Sequence, residues 1–473
     1  MTALEFKASS PRVSTVNVFS IERPSLRLDA KHYQEEFVLA RSRVAHCVSS
    51  PLRELADAFV PGRMKLVSAQ NSEAGAPYLR AHDAFEARPT SKRYAVRART
   101  DNYDDYLLKE GMLLTPSSGR NLGPMAYVGK KLSRFAMTDI LRIVPQDKDA
   151  GYYLFAYLLT PTGQALIRRG RTGTMVDHLS PEDVLQIPVV QLPEKERKRV
   201  IAAIRKAEEK LDKARLSLDE LDLELHRLTG LGPMLPKGKY LKKTGARVFS
   251  INSRDLTLRL DAAYYEPAVR SAQMVLKSRG ARRLDELAEL RLLGRYKRYY
   301  VAKEFGRPIL SGRHLLQLRQ VNLQYISDRS FKLPESFILK RGWCVFTCDG
   351  RAEEQLGSPA YVHARWDGWM ASNHVMRAIP LPGIEPGYLY LALRNSYVQL
   401  QLKARATGSV IDALEPETIA DVLLPSVSVA DQKRLGKAAS RAWDDIAMAQ
   451  ELEERTVAEF EAAIGAGSTV PLI

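Results

Sequence analysis

Thr172–Asp183 reads TGTMVDHLSPED and Thr407–Thr418 reads TGSVIDALEPET. The two are one segment written twice, at a separation of 407 − 172 = 235 residues. Outward from this pair the correspondence continues in unbroken order. Ala126-Tyr127-Val128 answers Ala360-Tyr361-Val362, Gly119-Arg120 answers Gly350-Arg351, and Leu107–Gly111 answers Ile338–Gly342. Leu26-Arg27-Leu28-Asp29-Ala30 recurs as Leu258-Arg259-Leu260-Asp261-Ala262, and the VFSI of Val18–Ile21 recurs at Val248–Ile251, where 248 − 18 = 230. An offset drifting only from 230 to 235 marks a duplicated domain. A unit of that length is far beyond a solenoid repeat of roughly 20–50 residues.

Each copy changes character at one place. Its first part carries short apolar runs, Gly111–Thr115 and Gly342–Thr347, that read as buried strands. Helical stretches at Tyr152–Leu159 and Gly387–Leu393 frame them. After Ile187-Pro188 and Leu424-Pro425 each copy becomes one long helix. In the first, Val200, Ile204, Ala207, Leu211, Ala214, Leu218, Leu221, Leu225 and Leu228 alternate at steps of four and three, an a/d seam of about four heptads. In the second, Leu435, Ala439, Ala442, Ile446 and Ala449 hold the same phase, with Phe460 and Ile464 further on. Glu453 and Thr456 fall on seam positions and loosen it. The Gly-, Pro- and Lys-rich stretch from Gly230 separates the halves.

The expected fold is therefore α+β: two tandem α/β domains, each followed by a long helix, the helices packing as an antiparallel coiled coil with pseudo-twofold symmetry. In the alternative, each amphipathic helix covers its own domain. The boundaries read as a mixed domain at 1–193, a helix at 194–229, a linker at 230–247, a second domain at 248–428, a second helix at 429–464 and a tail at 465–473. Ile204, Leu211, Leu218, Leu225 and Ile446 are the expected coiled-coil contacts.

With 71 Lys+Arg against 55 Asp+Glu the chain carries +16 and a pI near 9.6, which favours a polyanionic partner. Cys47, Cys344 and Cys348 are too few for a disulfide framework and read as buried thiols. No apolar run approaches a membrane span and no apolar leader opens the chain, so a cytoplasmic protein without a membrane partner is expected.

The chain resembles the specificity (S) subunits of type I restriction–modification systems and of related type IIB enzymes. The resemblance covers nearly the whole chain. It rests on the duplicated order of variable domain, proline-ended strand and spacer helix. It also rests on the motifs Thr172-Gly173-Thr174…Leu179…Ile187-Pro188 and Thr407-Gly408-Ser409…Leu414…Leu424-Pro425. The Glu-Gln step usual at the start of the helix is close to pattern in Asp431-Gln432, whereas Glu196-Arg197 departs from it.

The resemblance implies a non-catalytic subunit whose two target-recognition domains clasp double-stranded DNA. It implies partnership with two adenine methyltransferase subunits and, in restriction complexes, a translocating nuclease subunit. No cofactor is expected on this chain, and S-adenosylmethionine is expected on the methyltransferase. A free-standing regulatory or architectural DNA-binding protein is the alternative that fits the composition.

Phosphate contacts set register and base contacts set sequence. The basic stretches are Arg63-Met64-Lys65 and Lys92, Arg93, Arg97 and Arg99 in the first copy, and Arg295, Lys297 and Arg298 among aromatics in the second. Ser117, Ser118, Arg120 and Asn121 follow a strand, as Arg351 does in the other copy. Arg120 and Arg351 at equivalent places suit either guanine O6/N7 or a phosphate. Arg171, Thr172 and Thr174, with Arg405, Thr407 and Ser409, offer small donors beside glycine, suited to a phosphate or to helix capping. Residues 84–106 scarcely resemble 315–337, which implies two unlike half-sites and an asymmetric bipartite target. A seam of about 30 residues is a ruler of about 45 Å, or about 13 base pairs at roughly 3.4 Å each.

Motifs for chemistry are missing. No Pro-Pro pair, G-x-G-x-x-G or P-loop occurs. Asp349, Glu353 and Glu354 are the nearest approach to nuclease carboxylates, but Ser118 stands opposite Asp349. Asp177 and Asp412 recur in both copies, in keeping with a structural role near a strand end.

Overall fold

The computed structural model describes residues 30–62, 68–69, 72–91, 93–119, 121–173, 175–232, 249–257, 259–327, 335–351, 355–408 and 411–467. The repeats at Val18–Ile21 and Leu26–Asp29, the basic Arg63-Met64-Lys65 and most of the linker lie outside them. The chain divides into two compact units. One takes the described residues of Met1–Phe85, Pro89–Glu209 and Glu451–Ile473, the other those of Glu86–Arg88 and Lys210–Gln450. The division thus cuts both long helices and assigns three residues of the first copy to the second unit.

Each unit is built on the same four-stranded antiparallel sheet. In the first the order is Ala56–Phe59, Ile140–Pro145, Leu113–Pro116, Ala126–Tyr127. In the second it is Ala288–Arg291, Val375–Pro380, Cys344–Thr347, Ala360–Tyr361. Leu113 faces Ile143 where Cys344 faces Ala378. Leu113, Leu141 and Ile143 point to a helical face with Tyr153, Phe155 and Leu166, while Leu114 and Ile140 point to Leu79, Leu132 and Phe135. A strand covered on both faces reads as a continuous apolar run, which is why these strands are visible in the sequence.

The covering helices begin where the local chemistry dictates. Asp147 accepts from the Ala150 amide (2.8 Å) at the start of Lys148–Leu159, and Thr160 accepts from Gly163 (2.9 Å) ahead of Pro161–Arg169. Pro386–Arg394 and Ser396–Ala404 are their counterparts. A second sheet flanks each main one, two-stranded in the first unit and four-stranded in the second. Leu79 pairs in parallel with Met137 in the first unit, and Leu310 with Ala371 in the second.

The long helices span Glu194–Thr229 (36 residues) and Val429–Ala466 (38 residues). In the first unit the early part of one shares a core with the late part of the other. Ile204, Phe460 and Ile464 are buried together, Phe460 lies 5.1 Å from the Tyr153 ring, and Arg199 meets Glu459 at 2.9 Å. In the second unit Leu211, Leu218 and Leu225 are buried with Leu435, Ala439, Ala442 and Ile446, and Lys210 meets Asp445 at 2.6 Å. Glu453 and Thr456 are buried too, Thr456 donating to the Leu452 carbonyl. Leu228, read as the last seam position, is exposed, and Thr229 is buried instead. A straight α-helix drifts about 20° per heptad from a 3.5-residue repeat, and four heptads carry Leu228 off the stripe.

Arg88, from the segment shared with the second unit, donates to the Leu218 carbonyl (2.6 Å) and meets Asp222 (2.7 Å) and Asp219 (3.2 Å). Burial works against its charge, yet Asp222, Tyr390 and Asp219 hold its pKa above the ordinary value. Cys344 and Cys348 are buried free thiols, Cys348 pushed up to about 12 by burial. Cys47, expected to be buried, is half-exposed. Among the described residues no helix is long and apolar enough to cross a membrane.

Candidate nucleic-acid interface

At one end of each main sheet, three backbone segments meet and form a ledge. In the first unit these are the loop after Leu113–Pro116, the turn Thr138-Asp139 before Ile140–Pro145, and the hairpin Thr172–His178 after Pro161–Arg169. Gly119 donates to the Asp177 carbonyl and Leu179 to the Ser117 carbonyl, both at 2.9 Å, and Ser117 Oγ donates to the Asp139 carbonyl at 3.3 Å. Thr172 and His178 close the hairpin by exchanging amide hydrogen bonds of 2.8 and 2.6 Å.

The second unit repeats the arrangement. Asp349-Gly350 pairs with Asp412-Ala413, Leu414 donates to the Cys348 carbonyl (2.8 Å), and Cys348 donates to the His374 carbonyl (3.2 Å). Thr407 and Ala413 close its hairpin in the same way. Gly173 and Gly408 sit at φ +112° and +142°, and a Cβ there would come within 2.2 Å of the Val176 carbonyl oxygen or 2.0 Å of that of Ile411. The hairpin requires glycine at these two positions, which explains the invariance of Thr-Gly between the copies.

Two buried arginines brace the ledges. Arg142 and Arg377 hold equivalent places, 377 − 142 = 235, beside the central strand of each sheet. Arg142 donates to the carbonyls of Asp105 (2.8 Å), Tyr106 (2.9 Å), Leu107 (3.0 Å) and Met137 (3.0 Å). Arg377 donates to those of Ala371 (2.8 Å), Ser372 (3.3 Å) and Val375 (2.5 Å). Burial draws both guanidinium groups down to about 10. Backbone carbonyls, rather than a carboxylate, hold the charge, and through them each arginine fixes the turn beside its ledge.

On these equal scaffolds the side chains differ. The first ledge presents Ser117, Ser118, Asp139, Thr172 and His178. The second presents Asp349, Arg351, Asn373, His374 and Thr407. There Arg298 bonds Asn373 Oδ1, Asn373 Nδ2 lies 3.2 Å from His374 Nε2, and His374 Nδ1 pairs with Asp349. A polar chain therefore links the basic stretch to the loop carrying Arg351, which is exposed.

The sequence-derived residues fall into groups. Ser117, Ser118, Asn121, Thr172, Arg351 and Thr407 lie on or beside the ledges. Arg93, Arg97 and Arg99 are exposed around the flanking strand Tyr94–Ala95, with Arg97 stacked 4.5 Å over Tyr103. Arg295 and Lys297 are exposed beside Tyr299, and the Tyr299 hydroxyl raises the Lys297 pKa. Arg171 stands behind its hairpin against Gln34 (3.0 Å) and Asp177 (3.8 Å). Arg405 is buried, its Nη2 2.7 Å from Asp421, so it faces the interior and not the ledge. Lys92, Arg120, Thr174 and Ser409, like Glu353 and Glu354, lie outside the described residues.

Sequence reasoning missed the turns Thr138-Asp139 and Asn373-His374. Their signal is a step in the offset: 370 − 136 = 234 on one side and 375 − 140 = 235 on the other, an insertion in the second copy. Among the described residues no three His, Cys, Asp or Glu side chains gather as metal ligands.

No protein-family model and no curated protein matches the chain. Solved structures do. The type I restriction–modification S subunit from M. genitalium is 14% identical over 90% of this chain and 96% of its own, with a TM-score of 0.35. The HsdS subunit from Thermoanaerobacter tengcongensis is 14% identical over 90% and 97%, with a TM-score of 0.26. A chain from a structure describing complex assembly and conformational transition of the type I R-M system is 15% identical over 89% and 96%, also at 0.26. With scores of this size the functional reading rests on the chain's own repeat and ledges. The chain is similar to the specificity subunits of type I restriction–modification systems.

Proposed function

We propose that this chain is a DNA-specificity subunit, non-catalytic itself, that reads an asymmetric bipartite target and directs adenine methyltransferase subunits to it. The observation that carries this is the pair of ledges: one backbone arrangement built twice and furnished with unlike side chains. Identical scaffolds with different donors and acceptors are what reading two different half-sites requires. On the first ledge Ser117, Ser118 and Thr172 supply small neutral donors beside Asp139 and His178. On the second Asn373, His374, Asp349 and Arg351 supply a charged, directional set. The exposed Arg93, Arg97, Arg99, Arg295 and Lys297 supply the phosphate contacts. Arg120, Thr174 and Ser409 belong to the same loops in sequence and are assigned to the same task.

The two long helices serve as the spacer, packed as an antiparallel coiled coil, and offer the surface for two methyltransferase subunits. S-adenosylmethionine is carried by those partners. A nuclease subunit joins in restriction complexes.

The test is to map N6-methyladenine in the host genome with and without this gene. A bipartite methylated motif that disappears on deletion supports the reading. Methylation unchanged by deletion overturns it and leaves a free-standing DNA-binding protein.

A further inference from the structure

We propose that the tip of each ledge hairpin is an apolar wedge that enters the minor groove of DNA without regard to sequence. In the first unit the tip is Met175-Val176. Val410-Ile411 matches it in sequence, and Ile411 is the described member of that pair. Met175 is 90% exposed, Val176 47% and Ile411 63%. A single exposed apolar side chain is ordinary. An apolar pair held at the same place in two copies is not, because the residues around it have diverged: Ser118 stands against Asp349, and His178 against Ala413. The hairpin itself needs Gly173 and Gly408 for its backbone, and Leu179 and Leu414 are the side chains it buries. Nothing in that construction calls for an apolar tip in water.

The tip is held firmly. Thr172 and His178 close the first hairpin, and Gly119 donates to the Asp177 carbonyl one residue beyond Val176. In the second unit Gly350 pairs with Asp412, next to Ile411. A tip fixed in this way loses little freedom when it is inserted. The neighbouring charges suit a polyanion. Arg171 meets Asp177, the carboxylate beside the first tip, at 3.8 Å. In the second unit the exposed Arg351 directly follows Gly350. An apolar point beside a cation fits nucleic acid, whose phosphates flank base steps that apolar side chains can enter. The repetition selects the groove. In the major groove an apolar side chain reads the thymine methyl, so it would vary with the half-site. A feature kept on two ledges that read unlike half-sites meets something those half-sites share, and the degenerate minor groove supplies it.

This inference rests on the DNA-specificity reading. The full chain is titrated by fluorescence anisotropy with a duplex carrying the methylated motif and with a duplex of random sequence, over a range of salt. Met175→Ser and Ile411→Ser are each expected to weaken binding to both duplexes about tenfold, the loss of one buried apolar side chain. The slope of affinity against salt stays that of the unsubstituted chain, since no phosphate contact is lost, and the motif methylated in the host keeps both halves. Met274→Ser, at a side chain 71% exposed on the helix Pro267–Ser278, leaves affinity unchanged. Unchanged binding in either tip variant overturns the wedge. So does a motif relaxed at a thymine, which assigns the tip to the major groove. Lost methyltransferase association with DNA binding intact also overturns it and assigns the tip to that protein. An unsubstituted chain that binds neither duplex overturns the DNA reading and the wedge with it, so the two failures are told apart.

Discussion

Arg142, Arg377 and His363 are buried side chains of ionisable type. Arg142 and Arg377 carry no motif, since a single arginine inside an apolar strand looks the same whether it is strained, exposed or fully bonded. The carbonyls they meet explain them: those of Asp105 and Tyr106, 37 and 36 residues away, for Arg142, and the nearby Ala371 and Ser372 for Arg377. Replacing either by Met removes the charge but leaves those carbonyls unmet. Each variant is expected to lose about 3 kcal/mol in its own unit by urea denaturation. His363 makes a second prediction. It is buried, 4.8 Å from Trp366 and 6.0 Å from Trp443 by ring centroids. Burial, with the charge of Arg365 behind it, pulls its pKa to about 3 from 6.5. The folded value lies below the unfolded one, so the unfolded chain binds the extra proton. The contribution to stability is complete above pH 6.5 and is lost as the pH falls towards 3, by at most about 1.4 kcal/mol per pH unit. His363→Phe keeps the stacking and should flatten that part of the acid slope. All four tryptophans, Trp343, Trp366, Trp369 and Trp443, lie in the second unit, so their fluorescence follows it selectively.

At the scale of elements the readable features are those fixed by local pattern. The heptad phase and the prolines before it mark the long helices, and the uninterrupted apolar runs Gly111–Thr115 and Gly342–Thr347 mark strands buried on both faces. Leu218, fully buried between the helices in the second unit, tests that packing: Leu218→Ala should cost about 2–5 kcal/mol, seen as a lower urea midpoint. What escapes the pattern is whatever depends on two distant segments meeting. The flanking sheets are built from strands two to four residues long, too short to show a period. Arg405 reads as a loop cation because the sequence does not reveal that Asp421 draws it inward. The hairpins give the sharpest local test. Gly408→Ala should leave the thermal midpoint of the second unit within a few degrees, a backbone penalty of about 1 kcal/mol or more. It should distort Thr407–Asp412 and weaken DNA binding. Unaltered binding would detach the hairpin from recognition.

For the whole molecule, the account claims a division of labour: one scaffold built twice, each copy answerable for its own half of the target. The excess of 71 cations over 55 anions makes DNA a natural partner but says nothing of sequence. On the proposed reading, sequence preference resides where the copies differ, and the ledges differ at Ser118 against Asp349 and at Thr138-Asp139 against Ser372-Asn373-His374. The most direct measurement is therefore the methylated motif in a host carrying His374→Ala with Arg351→Ala. The account predicts that one half of the bipartite motif relaxes while the other half and the spacing between them persist. A motif changed in both halves, or in neither, would contradict it.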